Sequence, residues 1–178
     1  MPSPDTGRTK IEPQVELVQA CEADSPVLAN LLQLYIHDFT SFTPVELGDD
    51  GRFRHNPLPE YWGRGDRYAF LIKVHAQLAG FALVRQGSQI SNDPDVWDMG
   101  DFFIIRAFRR QGVGSRAARV VWARFPGLWE VRVIDENQPA LSFWSHAIAE
   151  FAGEYIAPTS VDMHGQPRQL FRFEVQTR

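Results

Sequence analysis

A single cysteine, Cys21, in a chain of 178 residues excludes an internal disulfide. Stability must then come from a packed core, and a reducing compartment, the cytoplasm, is expected. No apolar run is long enough to span a membrane, and the first residues do not have the pattern of a signal peptide, so neither a membrane segment nor export is expected. Internal repeats and low-complexity tracts are also missing. The five histidines, His37, His55, His75, His146 and His164, lack close metal-ligand spacing, which argues against a metal centre. A formal charge of -4 with no extended basic stripe argues against nucleic-acid binding. The length suits one domain with a real core, placed at residues 14–178. Residues 1–13 carry Pro2, Pro4 and Pro13 with little apolar periodicity and read as a flexible leader. The oligomeric state is open, a homodimer included.

What the chain does have is a basic, glycine-bearing turn, Arg109-Arg110-Gln111-Gly112-Val113-Gly114, entered from the apolar run Phe102-Phe103-Ile104-Ile105. Val113, Ala117, Val121 and Phe125 follow at intervals of four, one helical face, so a helix is predicted to begin near Gly112. The first N–H groups of such a helix have no partner within it and carry partial positive charge, which favours an anion. Six arginines and no acid lie between Arg106 and Arg124, although the chain as a whole is acidic. That contrast suggests a compact anionic ligand. By itself the turn is also compatible with a plain loop and a solvated helix face. A Walker A loop is excluded because no Gly-Lys-Ser/Thr follows, whereas Gly112-x-Gly114-x-x-Ala117 meets the looser dinucleotide fingerprint, with Glu130 or Asp135 near its acidic position.

The surrounding pattern bears on that choice. Val15 to Val18 reads as a short strand, and Ser25 as N-cap with Pro26 opens a helix whose apolar face is Leu28, Leu31, Leu32, Tyr35, Ile36 and Phe39. Thr43 to Asp66 is rich in proline and glycine and reads as loop with a short helix. Ala69 to Val74 and Leu78 to Arg85 are strand-like and close enough to form a hairpin, which argues against a doubly wound dinucleotide fold. Further strands are predicted at Trp97 to Ile105, Leu128 to Ile134 and Phe171 to Val175, with a second strong helix from Asn137-Gln138-Pro139. Its face is Ala140, Phe143, Trp144, Ala147, Ile148 and Phe151. The expected fold class is α/β in the α+β sense: a mixed, mainly antiparallel central sheet flanked by helices, with one strand-helix-strand crossover around the Gly112 helix.

From about Val15 onward the sequence resembles the GNAT superfamily of N-acetyltransferases. The family's Arg/Gln-x-x-Gly-x-Gly/Ala turn matches Arg109, Gly112 and Gly114, and its Asn-x-x-Ala-x-x-Phe-Tyr helix matches Asn137, Ala140 and Phe143. The resemblance implies acetyl-coenzyme A as cosubstrate and direct acetyl transfer to a primary amine of a small molecule or peptide. It implies N–H groups of Gln111, Gly112, Val113, Gly114 and Ser115 on the pyrophosphate, and the backbone of Phe103, Ile104 and Ile105 pairing with the pantetheine arm. Arg109 and Arg110 would flank the phosphates, and Asn137, Phe143 and Trp144 would lie beside the pantetheine or acyl end. Trp144 stands where many members have a tyrosine that protonates the leaving thiolate. An indole N–H releases no proton at useful pH, so water, Ser145 or a residue from elsewhere must serve. A non-catalytic acyl-coenzyme A sensor is the alternative function.

A primary amine must lose a proton before it attacks a thioester, which calls for a carboxylate or a water relay. Asp101, with Asp98 beside it, and Glu60 in the long loop are the candidate bases, each equally readable as a solvated carboxylate. The loop acids Glu46, Asp49, Asp50 and Asp66 would favour a cationic acceptor. Trp144 is readable as core or as a pocket wall, and Asn137 as a helix cap or a ligand contact. Cys21 reads as a small buried or half-buried residue.

Overall fold

The computed structural model describes residues 13–176, so the leader expected at residues 1–13 lies outside the described residues apart from Pro13. Strand β1 (Val15–Gln19) leads through a short 3-10 turn, Glu22–Asp24, into helix α1 (Ser25–Phe39). The Asp24 carboxylate accepts the Cys21 backbone N–H at 2.9 Å, and Ser25 is already helical, so the cap sits one residue earlier than the serine signal predicts. Cys21 itself is exposed, contrary to the burial expected from its residue type, because it lies in that connecting turn.

A long connection with one 3-10 turn, Leu58–Tyr61, precedes β2 (Arg67–Val74) and β3 (Gln77–Gln86). These pair antiparallel through a two-residue turn, His75 and Ala76, both with positive φ, the geometry that matches the twist of a hairpin. Strand β4 (Trp97–Ile104), helix α2 (Val113–Arg124) and β5 (Gly127–Ile134) form the crossover, with β4 and β5 parallel. Helix α3 (Gln138–Ala152) and the hairpin β6 (Thr159–Met163) and β7 (Gln166–Val175) complete the sheet. Its order is β1-β2-β3-β4-β5-β7-β6, with every pair except β4 and β5 antiparallel. Strand β6 is an addition to the elements that the sequence pattern predicts, since Thr-Ser-Val-Asp-Met on an outer edge needs no alternation of apolar residues.

Each face of the sheet carries its own core. Helices α2 and α3 cover one built around Phe70, Trp122, Trp129, Ile148 and Phe171. Helix α1 covers the other with Leu28, Leu32, Phe81, Leu83 and Phe103. The predicted helix faces are the buried ones: Val113, Ala117 and Val121 in α2, and Trp144, Ala147 and Ile148 in α3, are almost wholly out of solvent. Burying such side chains is worth roughly 1.5–3 kcal/mol each for the larger ones.

Two irregularities shape the middle of the sheet. The β3–β4 register slips between Leu83 and Val84, so Gly100 is an extra residue in β4. The bulge puts Asp98, Asp101 and Phe103 on the α1 face and Met99, Phe102 and Ile104 on the other, whereas strict alternation would separate Asp98 from Asp101. The parallel pairing of β4 with β5 covers only Trp97, Asp98 and Met99 against Trp129, Glu130 and Val131. Beyond Met99 the two strands part, and the edge of β4 from Gly100 to Ile104 has no strand beside it on that side.

Candidate active site

The opening between β4 and β5 holds two cavities. One, of about 480 Å³, is lined by Phe102, Phe103 and Ile104 of β4, by Arg109, Arg110 and Gly114 of the turn, and by Pro139 and Phe143 of α3. The other, of about 370 Å³, is lined by Asp101 and Gly100 of β4, Val131 and Arg132 of β5, His55 of the long connection and Arg168 of β7. Six residues, Tyr35, Phe39, Phe102, Asn137, Ala140 and Trp144, line both, so the cavities meet there.

The turn before α2 has the features of an anion cradle. Gly112, at φ 78°, occupies the N-cap, where a side chain would be strained. The first helical bond, Arg116 N to Gly112 O, leaves the N–H groups of Val113, Gly114 and Ser115 without a helical partner, and no side chain caps them among the described residues. Gly114 keeps the wall thin: a Cβ there would stand 3.0 Å from the Phe143 ring. Arg110 lines the cavity, Ser115 is half-buried in the first turn of α2, and the Gln111 side chain turns back to the Ala107 carbonyl at 2.7 Å.

Arg109 lines the larger cavity and is also held by bonds within the protein. Its Nε donates to the Ile104 carbonyl at 2.6 Å, its Nη2 donates to Asp38 of α1 at 2.6 Å, and it lies over the Phe103 ring. Burial opposes ionisation of Asp38, but hydrogen bonds from Arg109 and Arg106 outweigh it and hold the carboxyl below its ordinary pKa. The backbone range expected to receive pantetheine also narrows. Ile105 N–H donates to the Ala79 carbonyl at 2.8 Å, so it belongs to the β3–β4 ladder. By alternation, the outward groups of β4 are those of Phe102 and Ile104, and the Ile104 carbonyl is already taken by Arg109.

Asn137 caps α3, its side-chain oxygen accepting the Ala140 N–H at 3.0 Å, and it also lines both cavities. Trp144 is likewise both core and wall: it is 6% exposed, packs edge-on against Phe102 at 5.1 Å and contacts Trp122. Phe143 stacks on Phe102 at 6.0 Å.

The candidate bases separate. Asp98 is wholly buried, receives Arg85 and Arg132, and lines neither cavity. Glu60 is exposed on the 3-10 turn and lines neither cavity. Asp101 lines the smaller cavity, and burial raises its pKa, with the Asp98 charge acting the same way. His55, the Tyr35 hydroxyl and Arg85 pull in the opposite direction without overcoming burial. Tyr35 shares a hydrogen bond with Asp101, and burial and that carboxylate push its own pKa well up. Sequence reasoning assigns Tyr35 to the apolar face of α1 and passes over Asp38, Arg132 and Arg168. The only sequence signal is a hydroxyl-bearing ring followed three residues later by Asp38 on an otherwise apolar helix face. None of the loop acids Glu46, Asp49, Asp50 and Asp66 lines the smaller cavity.

The model of the Acetyltransferase (GNAT) family matches residues 28–147, from α1 into α3, and so includes the glycine turn and the Asn137 helix. No curated protein sequence gives a match. Among solved structures, an acetyltransferase from Thermus thermophilus is 16% identical with a TM-score of 0.66, covering 91% of this chain and 97% of that one. A Bacillus anthracis protein in complex with acetyl coenzyme A is 11% identical with a TM-score of 0.53, covering 92% and 99%. A Bacillus subtilis acetyltransferase in complex with coenzyme A is 12% identical with a TM-score of 0.54, covering 92% and 99%. At these identities the likeness to solved structures is one of fold. The family match, which spans the whole crossover, the glycine turn and the start of α3, carries the assignment: the chain belongs to the GNAT family of acetyltransferases.

Proposed function

We propose that this protein transfers an acetyl group from acetyl coenzyme A directly to a primary amine of a small molecule or peptide. The observation that carries the reading is the meeting of two cavities at Tyr35, Phe102, Asn137 and Trp144, one running from an uncapped helix start and the other lined by a carboxylate. The chain fits the cosubstrate: free N–H groups on Val113, Gly114 and Ser115 and the Arg110 guanidinium suit a pyrophosphate, and the unpaired β4 edge suits the amides of a pantetheine arm. Acetyl coenzyme A would supply an acyl group activated as a thioester.

Asp101 would accept a proton from the acceptor's ammonium group, leaving a neutral amine as nucleophile. Its raised pKa brings the carboxylate closer to working pH and makes it a better base. Tyr35 would hold Asp101 through its hydroxyl, and, since it lines both cavities, it is the hydroxyl nearest in role to the tyrosine that Trp144 replaces. Ser145 lines neither cavity. Trp144 would wall the junction, with Phe143 packed against it in the larger cavity, and keep water from it.

Calorimetric titration with acetyl coenzyme A is expected to show binding, and thiol release with a panel of primary amines is expected to show turnover. No binding at millimolar ligand would sink the reading. A second reading, an acyl-coenzyme A sensor without turnover, is favoured by Trp144 alone, which stands in the aromatic core where a proton donor is usual. Turnover that disappears in Gly112→Trp would exclude it.

A further inference from the structure

The smaller cavity is unusual in its charges. Of its two arginines, Arg132 is satisfied: its Nε and Nη2 donate to Asp98 at 2.7 to 3.2 Å, and its Nη1 donates to the Met163 sulfur at 3.2 Å. Arg168 is not. Its Nε is buried with no hydrogen-bond partner, its Nη2 reaches only the Gln166 side-chain amide oxygen at 3.1 Å, and no carboxylate lies within ion-pair distance among the described residues. Glu136 acts on it only from farther away, and the positive charge of Arg132 repels it. A half-buried guanidinium beside a second cation, with an unmet donor, is costly unless an anion arrives to meet it.

Register explains why it points there. Arg168 stands opposite Ile134 in the β5–β7 ladder, on the same face as Arg132 two residues earlier in β5. That face is the one on which the bulge at Gly100 puts Asp101. Asp101 and Arg168 therefore line one cavity of about 370 Å³, small-molecule size, from neighbouring parts of the sheet, with Tyr35 within electrostatic reach of both.

Resting on the acetyl-transfer reading, we infer that the acceptor is a zwitterion of the amino-acid class: its amine faces Asp101 and its carboxylate is bound by Arg168. One unpaired guanidinium calls for one negative charge, and its planar fork matches a carboxylate. A polycationic acceptor would bring a second positive charge against Arg168, which no carboxylate offsets among the described residues.

The test pairs each free amino acid of a mixed panel with its carboxamide, which removes the negative charge and keeps the amine. With the coenzyme A-loaded protein, the N-acetylated amino acids are expected to bind about tenfold or more tightly than their N-acetylated carboxamides. The free amino acids should exceed their carboxamides in kcat/KM by a similar ratio. In Arg168→Gln both ratios are expected to collapse towards one, and Arg168→Lys should restore part of them. Equal binding of the two members, or a ratio that survives in Arg168→Gln, overturns the inference while leaving acetyl transfer intact. Absence of acetyl-coenzyme A binding overturns the acetyl-transfer reading and this inference with it.

Discussion

Burial and the nearby Asp98 charge raise the pKa of Asp101, so between the ordinary aspartate value of about 3.9 and its folded value the native state binds more protons than the unfolded chain. Stability therefore falls as pH rises through that window, and above it the ionised carboxylate is a burden on the fold. Asp101→Asn is expected to melt at an equal or higher temperature at pH 7 while kcat drops by roughly 10²–10⁴-fold, read by thermal melts and thiol release. Tyr35 lowers the Asp101 pKa by hydrogen bonding to the carboxylate, and its ring sits edge-on to Phe81 at 5.8 Å and against Phe103 at 6.0 Å. Tyr35→Phe keeps those ring contacts and loses the hydroxyl. The acid limb of the kcat/KM profile is expected to move to higher pH, with His55, Arg85 and Asp98 the other charged or titratable groups acting on Asp101 in both proteins. The sequence shows Asp101 as one of several carboxylates. It does not show that Asp98 is neutralised, because Arg132 lies 34 residues away along the chain and meets it only across the β4–β5 pair.

At the scale of elements, the glycine turn is tied to α1 through Asp38, which receives Arg106 and Arg109. Arg109 also closes the end of β4 through the Ile104 carbonyl, so α1, β4 and the turn before α2 share one joint. Since the folded pKa of Asp38 is depressed, its contribution is present above the ordinary aspartate pKa and is lost as pH falls through the lower folded value. Asp38→Asn is expected to cost on the order of 1 kcal/mol at pH 7, the partners being largely exposed, and the difference should vanish on acidification. Denaturant titration at several pH values reads both. Helices α2 and α3 are legible in the sequence because their apolar spacing lies close along the chain to their start signals, Gly112 and Asn137. Strand β6 is not, since an outer strand has one partner and little to bury.

Across the whole molecule, one register row carries charge through five strands: Arg67, Arg85, Asp98, Glu130 and Arg172 stand opposite one another in β2, β3, β4, β5 and β7. Asp98 and Glu130 are fully buried in that row. Glu130 accepts Arg172 and the Ser88 hydroxyl, and Ser88 in turn caps the Ile90 and Ser91 N–H groups, which pins the connection into β4. Removing one partner leaves buried charge uncompensated, so Asp98→Ala is expected to cost about 3–5 kcal/mol. Arg119→Ala, which breaks the exposed pair with Glu150 at 2.8 Å, should cost less than about 1 kcal/mol. Midpoints of denaturant unfolding compare the two directly.

The sequence by itself determined the elements other than β6, the faces the helices bury and the two motifs that mark the family, because periodicity, caps and turns depend on residues close along the chain. Glu130 and Arg132 show where that reading stops: they alternate with Trp129, Val131 and Val133 as a strand should, yet Glu130 is buried and Arg132 nearly so. Only the tertiary structure decided which carboxylate faces a cavity, that Arg168 lines that cavity without a carboxylate partner among the described residues, and that Tyr35 stands between the two cavities. Those outcomes depend on the bulge at Gly100, the parting of β4 from β5 and the register of β7, where contacts between distant segments set what each side chain meets.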